Sequence, residues 1–240
     1  MGRAIAYLYG LVCYVLFLGT FLYAIGFVGN FIVPKSIDSG VADAFGTSLL
    51  INAVLLGIFA IQHSVMARPG FKKWWTRFVP RPVERSTYVL LASLVLILLF
   101  SQWRPMPDIV WNVDSELGRM LLWALFALGW LIVLTSTFLI NHFDLFGLRQ
   151  VHMYMKGVPY AELKFRIVYF YRFVRHPLYL GFLIAFWATP TMSVGHLVFS
   201  LATTAYILIA IQLEERDLVR FHGQDYVEYR KRVSMILPIK

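Results

Sequence analysis

Residues 175–181 read RHPLYLG and open a pair of apolar segments, and Glu214 and Glu215 close that pair. The first segment covers residues 178–190 and the second covers residues 196–213. A chain that enters a bilayer and returns has both of its polar ends at the same face. Charge is costly within lipid, and charged groups held against membrane segments are commonly functional. The pattern therefore predicts a pocket at the membrane surface, built from both ends of this hairpin.

The composition indicates an integral membrane protein. Hydrophobic residues make up 59% of the 240 and charged residues only 15%, whereas soluble domains have about a quarter charged residues. A spanning helix needs about 20 residues, and the fifth of the six apolar stretches is shorter than this. The sequence predicts an all-α, polytopic transmembrane helix bundle with five to six spans. The six stretches are residues 5–33, 45–66, 88–103, 117–140, 178–190 and 196–213.

Basic residues alternate between the loops. Residues 67–87, 141–177 and 214–240 together hold 18 of the 22 lysines and arginines. An excess of Lys and Arg marks the cytoplasmic loops of membrane proteins. The alternation favours six crossings and predicts that both termini are cytoplasmic. The net charge of +9 is accounted for by this topology, so we expect a lipid bilayer and no nucleic acid as the partner.

The chain divides at residue 140 into two predicted parts. Residues 1–140 form the N-terminal transmembrane helices. Residues 141–240 form a core that contains a polar cytoplasmic segment, the hairpin and a C-terminal amphipathic helix that Gly223 can interrupt. The polar segment and the C-terminal helix are the parts of the chain that can cover a pocket on the cytoplasmic face. Cys13 is the only cysteine, which excludes an intrachain disulfide, and no metal site is predicted.

Two adjacent acids at the end of an apolar helix need compensation, because the helix dipole disfavours anions there. Arg175 can compensate Glu214 and Glu215 as a structural ion pair, and so can a bound cation. Tyrosines near the hairpin ends favour a sulfonium or ammonium group. The residues themselves leave two interpretations open. In the first, Arg175 is a basic residue that sets the membrane topology and His176 caps a helix. In the second, both residues belong to a pocket that binds a cation.

The combined pattern resembles the isoprenylcysteine carboxyl methyltransferase family of integral membrane methyltransferases. The resemblance covers residues 150–233 and includes residues 175–181, the hairpin, the two glutamates and residues 223–229. It implies S-adenosylmethionine as the methyl donor, held in a cytoplasmic pocket that the C-terminal helix closes. It assigns cofactor binding to Gln150, Tyr171, Arg175, His176, Tyr179 and Glu214.

One position departs from that family. Members that methylate prenylcysteine carry an arginine four residues before the cofactor-binding glutamate, and this arginine engages the substrate carboxylate. Here the position is Ala210, which cannot form such a clamp. Residues 62–69, 141–150 and 185–191 resemble a bacterial branch of the superfamily, the methanethiol S-methyltransferases. This resemblance implies a small apolar thiol, methanethiol, as the acceptor, dimethyl sulfide as the product, and the bacterial inner membrane as the location.

A thiol acceptor reacts as its thiolate, so a nearby proton acceptor would help. His142 and Asp144 are the candidate catalytic residues, and both also suit a role in capping helix ends. Two alternatives stay open. One is a methyltransferase for a larger lipophilic acceptor, such as a prenylcysteine carboxylate, a lipid or another thiol. The other is a non-catalytic membrane carrier or assembly factor, which would not bind S-adenosylmethionine.

Overall fold

A computed structural model of the chain describes residues 1–161, 163 and 166–238. Lys164 and Lys240, which are among the basic residues counted above, lie outside the described residues. Two short antiparallel strands, β1 (Ile109–Asn112) and β2 (Thr191–Ser193), and a 3-10 turn at Tyr169–Arg172 accompany the helices. The described helices are α1 (Arg3–Gly29), α2 (Phe45–Ala67), α3 (Pro69–Trp75), α4 (Arg81–Gln102), α5 (Glu116–Ile140), α6 (His142–Leu145), α7 (Leu148–Lys156), α8 (Pro177–Trp187), α9 (Val194–His222) and α10 (Gln224–Arg232).

Five helices in the described part of the chain, α1, α2, α4, α5 and α9, are long and apolar enough to cross a membrane. The predicted all-α polytopic bundle is confirmed. The preference for six crossings stays a prediction, because the fifth apolar stretch forms only the 11-residue helix α8. At 1.5 Å per residue such a helix is about 16 Å long, roughly half of a 30 Å hydrocarbon core.

The chain forms two compact units. The first contains Met1–Pro107 and Asn141–Glu162, and the second contains Asp108–Ile140 and Leu163–Lys240. Each unit therefore combines two separate stretches of sequence. This grouping differs from the predicted division at residue 140, which stays a prediction about sequence modules.

In the first unit, α1 packs against α4 and α7, and α2 packs against α4. Gly10 permits the close approach of α7, because a Cβ at this position would lie 2.5 Å from a methyl group of Val151. Asn52 is fully buried in α2 and fixes the chain after α4. Its side chain donates to the Arg104 carbonyl over 2.8 Å and accepts from the Arg104 amide over 2.9 Å.

In the second unit, α5 and α8 cross in direct backbone contact. A Cβ on Gly129 would lie 2.6 Å from the Ala185 nitrogen, and a Cβ on Gly181 would lie 2.7 Å from the Gly129 carbonyl oxygen. Membrane helices pack closely where small residues meet in this way. The crossing fixes α8, whose first turn carries the candidate site residues.

The end of α8 is stabilised by side chains of α9. The Phe186 carbonyl accepts hydrogen bonds from His196 Nε2 at 2.9 Å and from Ser200 Oγ at 2.7 Å. Inside a membrane, carbonyl groups at a helix end have no water to bond, so they need hydrogen-bond donors from the protein. His196 lies at the predicted turn of the hairpin, yet it is buried, with 1% exposure. It caps the interrupted helix and is not a surface residue.

The two legs of the hairpin match in length although only one is a full helix. Helix α8 contributes about 16 Å, and the six more extended residues 188–193 add about 20 Å at most. The return along α9 from Val194 to Glu214 is about 30 Å. The extended segment compensates for the short helix, so the chain returns to the level at which it entered.

Candidate active site

The hairpin brings its two polar ends together in the second unit. His176 is the residue before Pro177, which begins α8, and Glu214 lies on α9. The Tyr179 hydroxyl donates to Glu214 Oε2 over 3.0 Å, and His176 Nδ1 lies 4.0 Å from the same oxygen. Residues almost forty positions apart thus share one carboxylate at the open end of the hairpin.

Glu215 is the buried centre of an ion-pair cluster. Its carboxylate accepts from Arg175 Nε at 2.7 Å, from His176 Nε2 at 3.0 Å and from Arg230 Nε at 3.1 Å, and the Tyr226 hydroxyl lies 3.5 Å away. Its side chain is 3% exposed. A buried carboxylate is tolerated when cations and donors surround it in this way. The charge of Glu215 is therefore satisfied within the protein.

Glu214 has a different environment. Its side chain is 43% exposed, and Tyr179 supplies its hydrogen bond among the described residues. No arginine or lysine of the described part lies within ion-pair distance of it. Of the two adjacent acids, Glu214 is the one whose negative charge is available to an incoming cation.

Tyr171 contributes a buried hydroxyl to the same region. The hydroxyl has no hydrogen-bond partner among the described residues. Burial raises the pKa of Tyr171 above its usual value, and the Glu214 charge and Tyr229 add to this rise. The hydroxyl is therefore a neutral donor. A buried polar atom without a partner calls for an explanation, and a ligand that completes the hydrogen bond is one.

The C-terminal helix α10 covers this region. Gly223, with φ of +60°, separates α9 from α10, so the predicted interruption at Gly223 is confirmed. The Tyr229 hydroxyl donates to the Tyr171 carbonyl over 2.6 Å. Burial raises the pKa of Tyr229 to about 12, which keeps this donor protonated. Helix α10 is thus attached to the 3-10 turn that carries Tyr171.

The segment after α10 holds the residues that precede α8. The amides of Arg175 and His176 donate to the carbonyls of Ser234 and Met235 over 2.8 and 3.1 Å. The Arg175 guanidinium also donates to the carbonyls of Arg230 and Val233. The described contacts of Arg175 are therefore internal to the protein, and they position the backbone beside Glu214.

The remaining predicted residues lie in the first unit. Asp144 Oδ1 accepts from Arg149 Nη1 at 2.8 Å and from the Tyr160 hydroxyl at 3.1 Å. Gln150 Nε2 donates to the Asp144 carbonyl over 3.1 Å, while its Oε1 is buried with no hydrogen-bond partner among the described residues. The amide of Asp144 also bonds to the side chain of Asn141, which caps α6. Asp144 thus stabilises the turn that leads into α7.

His142 is buried beside Tyr14. Its Nε2 lies 2.8 Å from the Tyr14 hydroxyl, and the residue is 4% exposed. Burial lowers the pKa of His142. The imidazole is therefore neutral at pH 7, the protonation state that a proton acceptor requires.

Sequence reasoning left out several groups that complete the site. Arg230 and Tyr226 reach Glu215 from α10, and Tyr14 reaches His142 from α1. The spacing of Tyr226 and Tyr229 on α10 was a usable signal, because residues three apart share one face of a helix. Tyr14 carries no such signal, since its partner lies far away in the sequence.

Fold and site together define a class: a polytopic helical membrane protein with a cluster of carboxylates and tyrosines at the open end of a hairpin. No family model and no solved structure matches the chain. Curated relatives do. The chain is 57% identical to the methanethiol S-methyltransferase of Mycobacterium tuberculosis over 238 residues, which is 99% of this chain and 98% of the relative. It is 57% identical to that of Crocosphaera subtropica over 99% of this chain and 93% of the relative.

More distant similarity is also present. Nurim of Sus scrofa is 30% identical over 178 residues, covering 71% of this chain and 68% of that protein. The chain belongs to the methanethiol S-methyltransferase family. It is accordingly an integral membrane enzyme of the methyltransferase class.

Proposed function

We propose that the protein transfers the methyl group of S-adenosylmethionine to methanethiol and releases dimethyl sulfide. The observation that carries this proposal is the similarity to methanethiol S-methyltransferases along the whole chain. The proposed location is the bacterial inner membrane, with both termini in the cytoplasm. Two features support this orientation: the alternation of basic loops, and the return of the hairpin to the face from which it starts.

The residues proposed to hold the donor fit a cation of this kind. Glu214 offers a partly exposed carboxylate, Tyr179 is hydrogen-bonded to it, and Tyr171 has a buried hydroxyl without a partner in the described part of the chain. Arg175 and His176 contribute by fixing this arrangement. For Gln150, which lies in the first unit, the proposal of donor binding rests on the family resemblance alone. When bound, the donor supplies an activated methyl group on a positively charged sulfur.

The remaining roles concern the acceptor. Ala210 lies one helical turn before Glu214 and carries no charge, which suits methanethiol and not a carboxylate. His142 is proposed to accept the thiol proton, since its imidazole is neutral and buried. Asp144 already pairs with Arg149 and Tyr160, so its proposed part is to hold the turn that carries His142.

The test is a headspace measurement on the purified protein. With methyl-labelled S-adenosylmethionine and methanethiol, we expect labelled dimethyl sulfide. Glu214→Gln should lower kcat/KM by about 10- to 100-fold, because a hydrogen bond or ion pair to a charged group contributes about 1.5–3 kcal/mol. Glu228→Gln is the matched control, since Glu228 is exposed and pairs with Lys231 at the surface. Label found only on carboxylates, or on no acceptor, would overturn the proposal.

A further inference from the structure

Helix α3 lies between two helices that can cross a membrane. Helix α2 ends at Ala67 and α4 begins at Arg81, so residues 68–80 connect two spans and are held at a membrane face. This connection contains aromatic and basic residues in close succession. The name "α3 surface" is used below for the side chains of Lys73, Trp74, Arg77, Phe78 and Arg81.

One face of α3 is packed against the protein. Phe71 and Trp75, which are four residues apart, contact a buried cluster of Met66, Tyr88 and Val89. Their rings lie near each other, with centroids 5.8 Å apart. This face supplies the packing that holds α3 in place.

A second aromatic pair lies beside this packed face, with Trp74 in α3 and Phe78 just after it. Trp74 and Phe78 are 47% and 69% exposed, and their rings meet edge to face with centroids 5.5 Å apart. Trp74 also lies beside Phe71 and Trp75, with ring centroids 5.3 and 5.9 Å apart, yet both members of the pair stay exposed. Aromatic rings in such positions are most stable at the level of lipid headgroups, where one side is apolar and the other is wet.

The charges beside this pair are uncompensated. Lys73, Arg77 and Arg81 are exposed, and no carboxylate of the described residues forms an ion pair with them. Two exposed cations elsewhere have acidic partners and serve for comparison: Arg220 lies 3.9 Å from Asp217 and Lys231 lies 2.8 Å from Glu228.

We propose that the α3 surface binds anionic phospholipid, with the phosphate between Lys73 and Arg77 and with Trp74 and Phe78 at the headgroup level. Three unpaired cations complement a negative headgroup, and the two neighbouring spans hold the surface at the bilayer. A zwitterionic headgroup offers no net charge to balance them. The proposal is independent of methyl transfer and of the residues around Glu214.

The test is native mass spectrometry of the full chain, released from neutral detergent with equal amounts of phosphatidylglycerol and phosphatidylcholine of identical acyl chains. We expect preferential retention of phosphatidylglycerol. Lys73→Gln combined with Arg77→Gln should reduce this retention about 25-fold, from about fivefold for each charge near an anionic surface. Phosphatidylcholine retention should not change.

Two further variants complete the experiment. Arg220→Gln combined with Lys231→Gln removes the same number of charges, but from cations that already have acidic partners, and should leave phosphatidylglycerol retention unchanged. Lys73→Arg combined with Arg77→Lys keeps the charge and should preserve binding. Equal losses in both glutamine variants, or equal retention of the two lipids by the unmodified protein, would overturn the proposal.

Discussion

At the scale of single residues, Glu214 and Glu215 are adjacent but face different surroundings. Successive residues of a helix point about 100° apart, so one carboxylate enters the cluster of Arg175 and Arg230 while the other stays partly open beside Tyr179. The buried acid holds the helices together. The partly exposed acid is the one proposed to bind the donor. Because their surroundings differ, substitutions of Glu214 and Glu215 should affect different properties, donor binding and stability respectively.

Glu215→Gln should destabilise the fold. The change removes the negative charge that Arg175 and Arg230 share, and breaking a buried ion pair costs about 3–5 kcal/mol. Because Arg230 is 43% exposed, we expect the free energy of unfolding to fall by about 3 kcal/mol, the lower end of this range. Thermal unfolding in detergent measures the effect, with Glu214→Gln as the control that should change it by less than about 1 kcal/mol. Equal unfolding temperatures would contradict this assignment.

Tyr171→Phe should weaken the binding of S-adenosylmethionine without lowering the stability of the fold. The Tyr171 hydroxyl is buried without a described partner, so its removal leaves no protein group unsatisfied and should not lower the unfolding temperature. Affinity for S-adenosylmethionine should fall about tenfold, as expected for one lost hydrogen bond. Tyr229→Phe is the comparison, because it removes an observed bond to the Tyr171 carbonyl and should cost about 1 kcal/mol of stability. Unchanged affinity in Tyr171→Phe would rule out a contact between this hydroxyl and the donor.

The pH dependence of stability should report on His142. Its pKa in the folded protein is lowered by burial, so the unfolded chain takes up a proton first as the pH falls. The stability contributed by His142 is therefore complete above the unfolded pKa of about 6.5 and is lost as the pH falls toward the folded value. Comparing unfolding temperatures at pH 7.5 and 5.5 (about one unit either side of 6.5) should show a smaller decrease for His142→Gln than for the unmodified protein. An identical decrease would show that His142 does not titrate in this way.

At the scale of elements, the crossing of α5 and α8 supports the site. Gly129 and Gly181 let the two backbones touch, and α8 begins at Pro177, next to His176 and two residues before Tyr179. Any widening of this crossing moves the start of α8 relative to α9. The distance between Tyr179 and Glu214 therefore depends on two glycines in the apolar part of the bundle.

Gly129→Ala should disrupt this crossing. The added Cβ would lie 2.6 Å from backbone nitrogen of Ala185, which cannot rotate away, and overpacking of this kind costs about 1–3 kcal/mol. Gly57→Ala is the matched control, because nothing lies within 4 Å of a Cβ there and alanine favours helix by about 1 kcal/mol. We expect a lower unfolding temperature and weaker donor binding for Gly129→Ala alone. Equal behaviour of the two variants would show that the crossing is not tight.

The long helices could be predicted from sequence, but the end of α8 could not. Apolar stretches of sufficient length identify α1, α2, α4, α5 and α9, and a glycine between polar residues identified the interruption at Gly223. Residues 178–190 are mostly apolar, and Pro190 locates the end of the helix only to within a few residues, so the pattern does not show that α8 stops at Trp187. The helix ends where His196 and Ser200 of α9 donate hydrogen bonds to the Phe186 carbonyl. The local sequence does not encode this contact.

At the scale of the whole molecule, part of the candidate site follows from topology. A hairpin that returns to its starting face must bring residues 175–181 near Glu214, and the structure has this arrangement. The role of Glu215 and the contacts of Ser234 and Met235 with the start of α8 were beyond sequence reasoning. Those contacts depend on the path of a polar segment after α10, which has no periodic pattern to read.

The proposed mechanism requires that Glu214 binds the cationic donor. Isothermal titration of S-adenosylmethionine into the intact chain in nanodiscs tests it most directly. We expect Glu214→Gln to weaken the binding of S-adenosylmethionine by about tenfold or more. The binding of S-adenosylhomocysteine, which lacks the sulfonium charge, should weaken much less, and Glu228→Gln should change neither affinity. Unchanged affinity of Glu214→Gln for S-adenosylmethionine would contradict it.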